Sequence, residues 1–389
     1  MSAAACVYLD YAATTPVAPS VAARMAQCLT LDGAFGNPGS ASHEYGERAS
    51  ELVEAARAEV AAAIGAQSAE IVWTSGATES NNLAIFGIAD YYRSAGRHIV
   101  TARTEHKSVL DPCRELERRG WRVTYLAPGR EGALDPAQVA AALTPETVLV
   151  SLMHVNNETG VIQDIAAIAA LCAQSGRARL HVDAAQSVGK CALDFGALGI
   201  DLMSLSAHKA YGPKGAGALA VSRRRGVHLT PLMYGGGQEQ TLRSGTLATH
   251  QAVGMGAAFA LANAGLEPEL ERVARLKERL WHSLSALGGV YVNGGARSVP
   301  HLLNVAFEGV EGESLLAAVS PYIAVSTGSA CTSASREASY VLRALGRDDR
   351  LAESSLRFSF GRFTEAADVD AAGAAVTGAV RRLRRIGGA

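Results

Sequence analysis

Residues 147–186 read TVLVSLMHVNNETGVIQDIAAIAALCAQSGRARLHVDAAQ. The stretch opens on a run of apolar, β-favouring residues (147–155) and closes on a second (179–185). Between them, AAIAALCAQSG (166–176) repeats its apolar residues at intervals of three and four, the helical spacing. A strand that is apolar on both faces has to be covered on both faces. Strand, helix and strand in succession therefore predict a parallel sheet with helices packed above and below it.

The same texture extends in both directions. EIVWTSG (70–76), RHIVTAR (97–103) and WRVTYLA (121–127) precede the stretch; IDLMSLSAHK (200–209) and GALAVS (217–222) follow it. Seven strands with intervening helices predict an α/β domain with a mostly parallel seven-stranded sheet, spanning residues 15–260. After residue 250 a long amphipathic segment, PELERVARLKERLWHSLSALGG (268–289), leads into a different pattern. HLLNVAFEGV (301–310) reads as a strand, GESLLAAVS (312–320) as a helix and SSLRFSFGRF (354–363) as a strand before a final helix. Residues 1–14 and 261–389 are expected to form a smaller α+β domain. The arginines of VRRLRRIGGA (380–389) alternate with apolar residues at helical spacing and read as a solvated helix face. No internal repeat or low-complexity linker is present.

Composition narrows the function. Of 389 residues, 48% are hydrophobic and 36 basic residues balance 37 acidic ones, so neither nucleic acid nor a membrane surface is the expected main partner. No apolar run reaches the roughly 20 residues of a membrane span, and MSAAACVYLDYAATTP lacks the pattern of a signal peptide. The six cysteines are scattered with no C-x-x-C pair. A zinc site or disulfide framework is not expected, and a reducing cytoplasm is. Five of the six read as small buried hydrophobes. Cys331 differs: STGSACTS (326–333) surrounds it with residues too small to cover a thiol.

In sheets of this kind ligands gather beyond the carboxyl ends of the strands. Asp183 in HVDAAQS and Lys209 in SLSAHKAYGPKG both fall at such ends. Alone, the first is a helix cap and the second a surface lysine. Together they are what pyridoxal phosphate requires, a lysine to form a Schiff base and an acid to hold the pyridine nitrogen protonated. Gln186 could hydrogen-bond the phenolic oxygen, and Ser206 and His208 could both reach the phosphate. TSGATESNN (74–82) supplies a cradle: Gly76, Ala77 and Thr78 follow a strand and open a helix, aiming N–H groups at an anion. His106 in RTEHKS could stack on the ring and relay protons, or be a satisfied structural histidine.

Taken together, LDYAATTP, FGNPGSASHEYG, TSGATESNNLAI, TEHKSVLDPC, MHVNNETGVIQDI, HVDAAQSVGK, SAHKAYGPKG, RSGTL and STGSACTSASREASYVLRALG resemble NifS/IscS-type cysteine desulfurases. These belong to the class V aminotransferase group of fold-type I pyridoxal phosphate enzymes, and the likeness runs from about Tyr8 to Phe363. The resemblance implies conversion of L-cysteine to L-alanine with a persulfide formed on Cys331. It implies Lys209 as the Schiff-base lysine, Asp183 as the partner of the pyridine nitrogen and His106 as the stacking, proton-handling residue. Ala77, Thr78, Ser206 and His208 match phosphate-binding positions, and Asn157 and Gln186 match ring contacts. Thr246 matches a residue that reaches the phosphate of a neighbouring subunit, which implies a homodimer, and Arg357 resembles the arginine that binds the substrate carboxylate.

Cys331 would ride on a mobile loop, about residues 326–346, of the longer, group I kind. No resident metal is implied, although Cys331 could transiently ligate an iron–sulfur cluster shared with a scaffold. Family members that serve such a scaffold continue past the final helix with a docking tail. This chain stops at RRLRRIGGA, so the acceptor is expected to dock differently or to be another carrier, such as a tRNA-thiolation relay. Selenocysteine lysis or another aminotransferase reaction is the alternative within the fold, and a non-catalytic sulfur carrier the alternative outside enzymology. The latter would be expected to lack Lys209, Asp183 or His106.

Overall fold

A computed structural model describes residues 6–295, 297–327 and 338–387. The chain opens on a short strand, β1 (Val7–Tyr8). The seven apolar runs then become β2 (Ile71–Thr74), β3 (His98–Ala102), β4 (Arg122–Leu126), β5 (Thr147–Met153), β6 (Arg179–Asp183), β7 (Leu202–Ser206) and β8 (Gly217–Val221). They form one sheet in the order β2-β8-β7-β6-β5-β3-β4. Only β8 runs against its neighbours. Every residue of β2, β3, β5, β7 and β8 is buried, as continuous apolar runs demand, whereas β4 at the sheet edge is partly open.

Alternation along each strand divides the core in two. Ile71, Trp73, Val100, Val150, Leu152 and Leu205 face the helices Glu44–Ala63, Ile165–Ser175 and Thr249–Ala264. Val72, Ile99, Leu149, Leu202 and Leu219 face the helices Ala77–Tyr92 and Lys107–Arg118. Each such side chain contributes about 1.5–3 kcal/mol on burial. All the parallel strands and β2 therefore end on one edge of the sheet.

The rest of the chain adds β9 (Val290–Val292), β10 (Leu302–Phe307), β11 (Ile323–Ala324), β12 (Ser326–Thr327) and β13 (Ser355–Ser359). An antiparallel sheet of order β12-β13-β10-β9 packs against the helices Leu266–Ser285 and Ala366–Gly387. β1 pairs in parallel with β11, and Leu9 lies in this second core. The fold is thus the expected α/β fold-type I arrangement, a large mostly parallel sheet with a smaller α+β unit.

Three expectations change in detail. The strand read over 200–209 stops at Ser206, because Ala207–Lys209 coils into a turn and the chain then reverses into antiparallel β8. Tyr211 supports that reversal with φ of 65°. Within the stretch 326–346 read as a loop, Ser326–Thr327 pairs with β13 and Tyr340–Ala344 is a helix capped by Ser339. Cys331 lies outside the described residues. In the last helix Arg384 does not simply face solvent; it donates to the carbonyls of Leu287, Glu308 and Gly289. Among the described residues no helix is long and apolar enough to cross a membrane, and no cluster of His, Cys, Asp and Glu could hold a metal ion.

Candidate active site

The strand ends converge on a cavity of about 510 Å³. Ala77 and Thr78 follow β2, His106 follows β3 and Asn157 follows β5. Asp183 ends β6, Gln186 lies in the turn beyond it, and Ser206, His208 and Lys209 come from the end of β7. All nine line this one cavity. β6 and β7 are neighbours in register, which places Asp183 and Lys209 on adjacent strand ends.

The end of the cavity near β2 is built for an anion. Gly76 has φ of 148°, a conformation that side-chain-bearing residues rarely adopt, and it caps the 16-residue helix that starts at Ala77. The first N–H groups of that helix have no carbonyl one turn back to bond. Gly217 passes so close beneath that a Cβ there would lie 2.4 Å from Gly76 Cα. Ser206 is buried nearby. His208 meets Thr14 Oγ1 through Nδ1 at 3.1 Å. Burial, reinforced by Lys209 and Lys214, pushes His208 down to about 4, so it is neutral at neutral pH.

The opposite end holds a hydrogen-bonded chain. Asp183 accepts from Asn81 Nδ2 at 2.8 Å and from the Ala185 N–H at 3.0 Å. Asn81 Nδ2 also donates to Ser108 Oγ at 2.8 Å, and that hydroxyl meets His106 Nδ1 at 2.8 Å. The Ser108 N–H donates to the same Nδ1 at 3.1 Å. Nδ1 is therefore an acceptor, and the neutral ring carries its proton on Nε2. Burial lowers His106 further, which favours that neutral form. Next to it Glu105 is fully buried, and desolvation pushes its carboxyl well above the usual carboxylate range.

Arg357 is not part of the cavity wall. Its guanidinium, 2% exposed, donates to Asn157 O at 2.9 Å, Asp10 Oδ1 at 2.7 Å and Ser326 Oγ at 3.1 Å. Thr246 is exposed and borders a separate cavity with Arg57 and Glu239. The Gln186 amide is already engaged, with Nε2 donating to Ala12 O at 2.7 Å and Oε1 accepting from Lys190.

Sequence reasoning missed Asn81, Ser108, Lys190 and Lys214. Asn81 sits one helical turn beyond Ala77, so helical spacing was its available signal; Ser108, two residues beyond the N-cap His106, carries no such signal. Lys190 stands four residues after Gln186 in a run of turns and reads as a surface charge.

The residues present fit pyridoxal phosphate. A lysine and a carboxylate face one cavity, a glycine-based helix start waits at its anion-binding end, and the buried acceptor Asn157 Oδ1 has no donor among the described residues. The sequence profile of the Aminotransferase class-V family matches residues 7–372. The chain is 58% identical to the cysteine desulfurase IscS of Pseudomonas putida (strain W619) over 98% of this chain and 94% of that one. A solved NifS-like protein superposes with a TM-score of 0.91 at 33% identity, covering 97% of this chain and 100% of its own. A structure of SspA in complex with cysteine superposes with a TM-score of 0.81 at 38% identity, covering 91% and 98%.

Proposed function

The chain belongs to the Aminotransferase class-V family, and from that premise we propose that it is a pyridoxal-phosphate-dependent cysteine desulfurase. It converts L-cysteine to L-alanine and passes the sulfur to the thiol of Cys331 as a persulfide. The observation that carries this reading is the convergence of Lys209, Asp183 and the Gly76–Thr78 helix start on one cavity. When bound, pyridoxal phosphate supplies an electron sink for bonds broken at the substrate's α-carbon.

The chain's own residues do the rest. Lys209 attaches the cofactor, and Asp183, oriented by Asn81, holds the proton of the pyridine nitrogen. Ala77, Thr78, Ser206 and His208 bind the phosphate. His106, with its proton on Nε2, stacks on the ring and moves protons at the substrate. Asn157 and Gln186 contact the ring. Among the described residues Arg357 uses three N–H groups; the other two are assigned to a substrate carboxylate.

Thr246, exposed in a single chain, is assigned to the phosphate of a neighbouring subunit. Leu232, Met233 and Tyr234, exposed just before that loop, support a homodimer. The acceptor is a sulfur-accepting protein, either an iron–sulfur scaffold or a thiolation relay, with no nucleic acid bound directly. A cytoplasmic location is supported by the free state of the five described cysteines. The division into 15–260 and 1–14 with 261–389 belongs to the same proposal and is supported by the two separate apolar cores.

The test is anaerobic incubation of the cofactor-loaded protein with L-cysteine, with alanine quantified and the intact mass recorded. Equal amounts of alanine and protein carrying one extra sulfur are expected. Cys331→Ala should keep the visible cofactor band and lose the persulfide; sulfur release at the parent rate from that variant would remove Cys331 from its role. A cofactor band with no alanine would redirect the reading to selenocysteine or to transamination.

A further inference from the structure

Lys190 is 7% exposed, and its hydrogen-bond acceptor is the side-chain oxygen of Gln186. Lysine carries one of the largest side-chain entropies and seldom goes inside without a partner that needs it. Here the partner is a residue of the cavity wall, itself 4% exposed. A glutamine amide has two faces: an oxygen that only accepts, and a nitrogen with two hydrogens that only donates. Lys190 Nζ, a donor, fixes where the oxygen goes. Ala12 O, an acceptor 2.7 Å from Nε2, fixes where the nitrogen goes and uses one of its hydrogens.

Rotating the amide by half a turn would set acceptor against acceptor at Ala12 and, with Lys190 as the ammonium, donor against donor at Lys190. One N–H remains, and Gln186 lines the cavity. We propose that Lys190 is a positioning residue whose hydrogen bond to Gln186 locks the amide so that an N–H, and not a carbonyl oxygen, is presented to the cofactor cavity. This rests on the cofactor reading above. An N–H at that point stabilises an anionic ring oxygen, whereas a carbonyl would repel it.

The lock comes from two sides of the molecule. Lys190 follows β6 in the large sheet, and Ala12 belongs to the segment between β1 and the first helix. Losing either partner leaves one hydrogen bond to hold the amide, and losing Lys190 also leaves the buried oxygen without its donor.

The experiment uses the full chain stripped of cofactor and titrated with pyridoxal phosphate, reading both the dissociation constant and the position of the visible band. Lys190→Met keeps the length of the buried stem and removes the donor. It is expected to weaken cofactor binding by about tenfold, the worth of one hydrogen bond, and to shift the band. In a Gln186→Ala background the same Lys190→Met change should move neither readout further, because its effect passes through the amide. A parent-like constant and band in Lys190→Met overturn the proposal, as does an equal shift in both backgrounds.

Should Lys190→Met fail to fold, Gln186→Glu tests the same point, since it can still accept from Lys190 but has no N–H to present. It should weaken binding and shift the band; parent-like behaviour overturns the proposal. A parent chain that takes up no pyridoxal phosphate would sink the cofactor reading itself, which separates the two failures.

Discussion

His181 occupies the middle of β6 with no exposed surface. Both ring nitrogens are engaged, Nδ1 with Ser151 Oγ at 2.8 Å and Nε2 with Ser204 Oγ at 2.9 Å, so it ties β5 and β7 to β6. Burial pushes it down to about 4 from an ordinary 6.5. Above pH 6.5 the ring is neutral in both folded and unfolded chains and its contribution is fully present. Between 6.5 and about 4 the unfolded chain takes up a proton that the folded one refuses, so stability falls as pH falls, by about 1.4 kcal/mol per pH unit for one such group. His181→Gln should remove one proton's worth of that slope in urea unfolding followed from pH 7 to 4; an unchanged slope would show that His181 charges freely in the folded state. Such roles were partly legible. Asp183 and Lys209 announced themselves because strand ends in a parallel sheet are where chemistry collects. Asn81 and Ser108 did not, because what marks them is their hydrogen bonds to Asp183 and His106 and helical polar residues are ordinary. The intrachain partners of Arg357, which are Asp10, Ser326 and Asn157, were not legible, since nothing in the sequence pairs positions so far apart.

The turn Glu239–Gln240–Thr241 is the most strained element in the described structure. Three consecutive residues with side chains hold φ of 48°, 59° and 67°, a conformation that costs about 1–2 kcal/mol for each. What holds it is Glu239. Its two oxygens accept from Arg57 Nη1 and Nη2 at 2.7 and 2.8 Å, and one also accepts from the Trp73 N–H at 2.7 Å. Arg57 and Glu239 are both buried, and without the Glu239 charge Arg57 keeps only the exposed Glu54 and the Ile71 carbonyl as hydrogen-bond partners among the described residues. Glu239→Gln should lower the free energy of unfolding by about 3 kcal/mol, visible as a lower urea midpoint at unchanged slope. A loss below about 1 kcal/mol would mean that the turn holds itself. Elements of this kind escape sequence reading, because left-handed turns are expected at glycine and none of these three is one. The seven strands of the large sheet were legible for the opposite reason: each is a short run rich in apolar and β-branched residues bounded by turn residues. The order of the sheet and the reversal of β8 were not, since strand pairing leaves no periodic trace.

At the scale of the whole molecule, two apolar cores share one polar seam. Residues 7–15 run along it. β1 pairs with β11, Asp10 meets Arg357 and Ser326, Ala12 O meets Gln186, and Thr15 Oγ1 donates to His208 O at 3.0 Å. Tyr211 Oη accepts from the Arg362 N–H, and Arg362 pairs with Glu269 at 3.0 Å. A seam that includes the walls of the cofactor cavity couples ligand binding to both cores. Three tryptophans separate the readouts: Trp73 and Trp121 lie in the two faces of the large sheet, and Trp281 packs on the second core. Pyridoxal phosphate at a hundred times its dissociation constant should add about 2.7 kcal/mol to the folded state. In one variant that keeps only Trp281, and another that keeps only Trp73 and Trp121, the urea midpoints should rise together and coincide. If the seam did not couple the cores, the Trp73 and Trp121 transition would rise on adding cofactor while the Trp281 transition stayed where it was. Coincident transitions would instead make residues 7–15 a structural part of the active site, with the Asp10–Arg357 ion pair as their main tie.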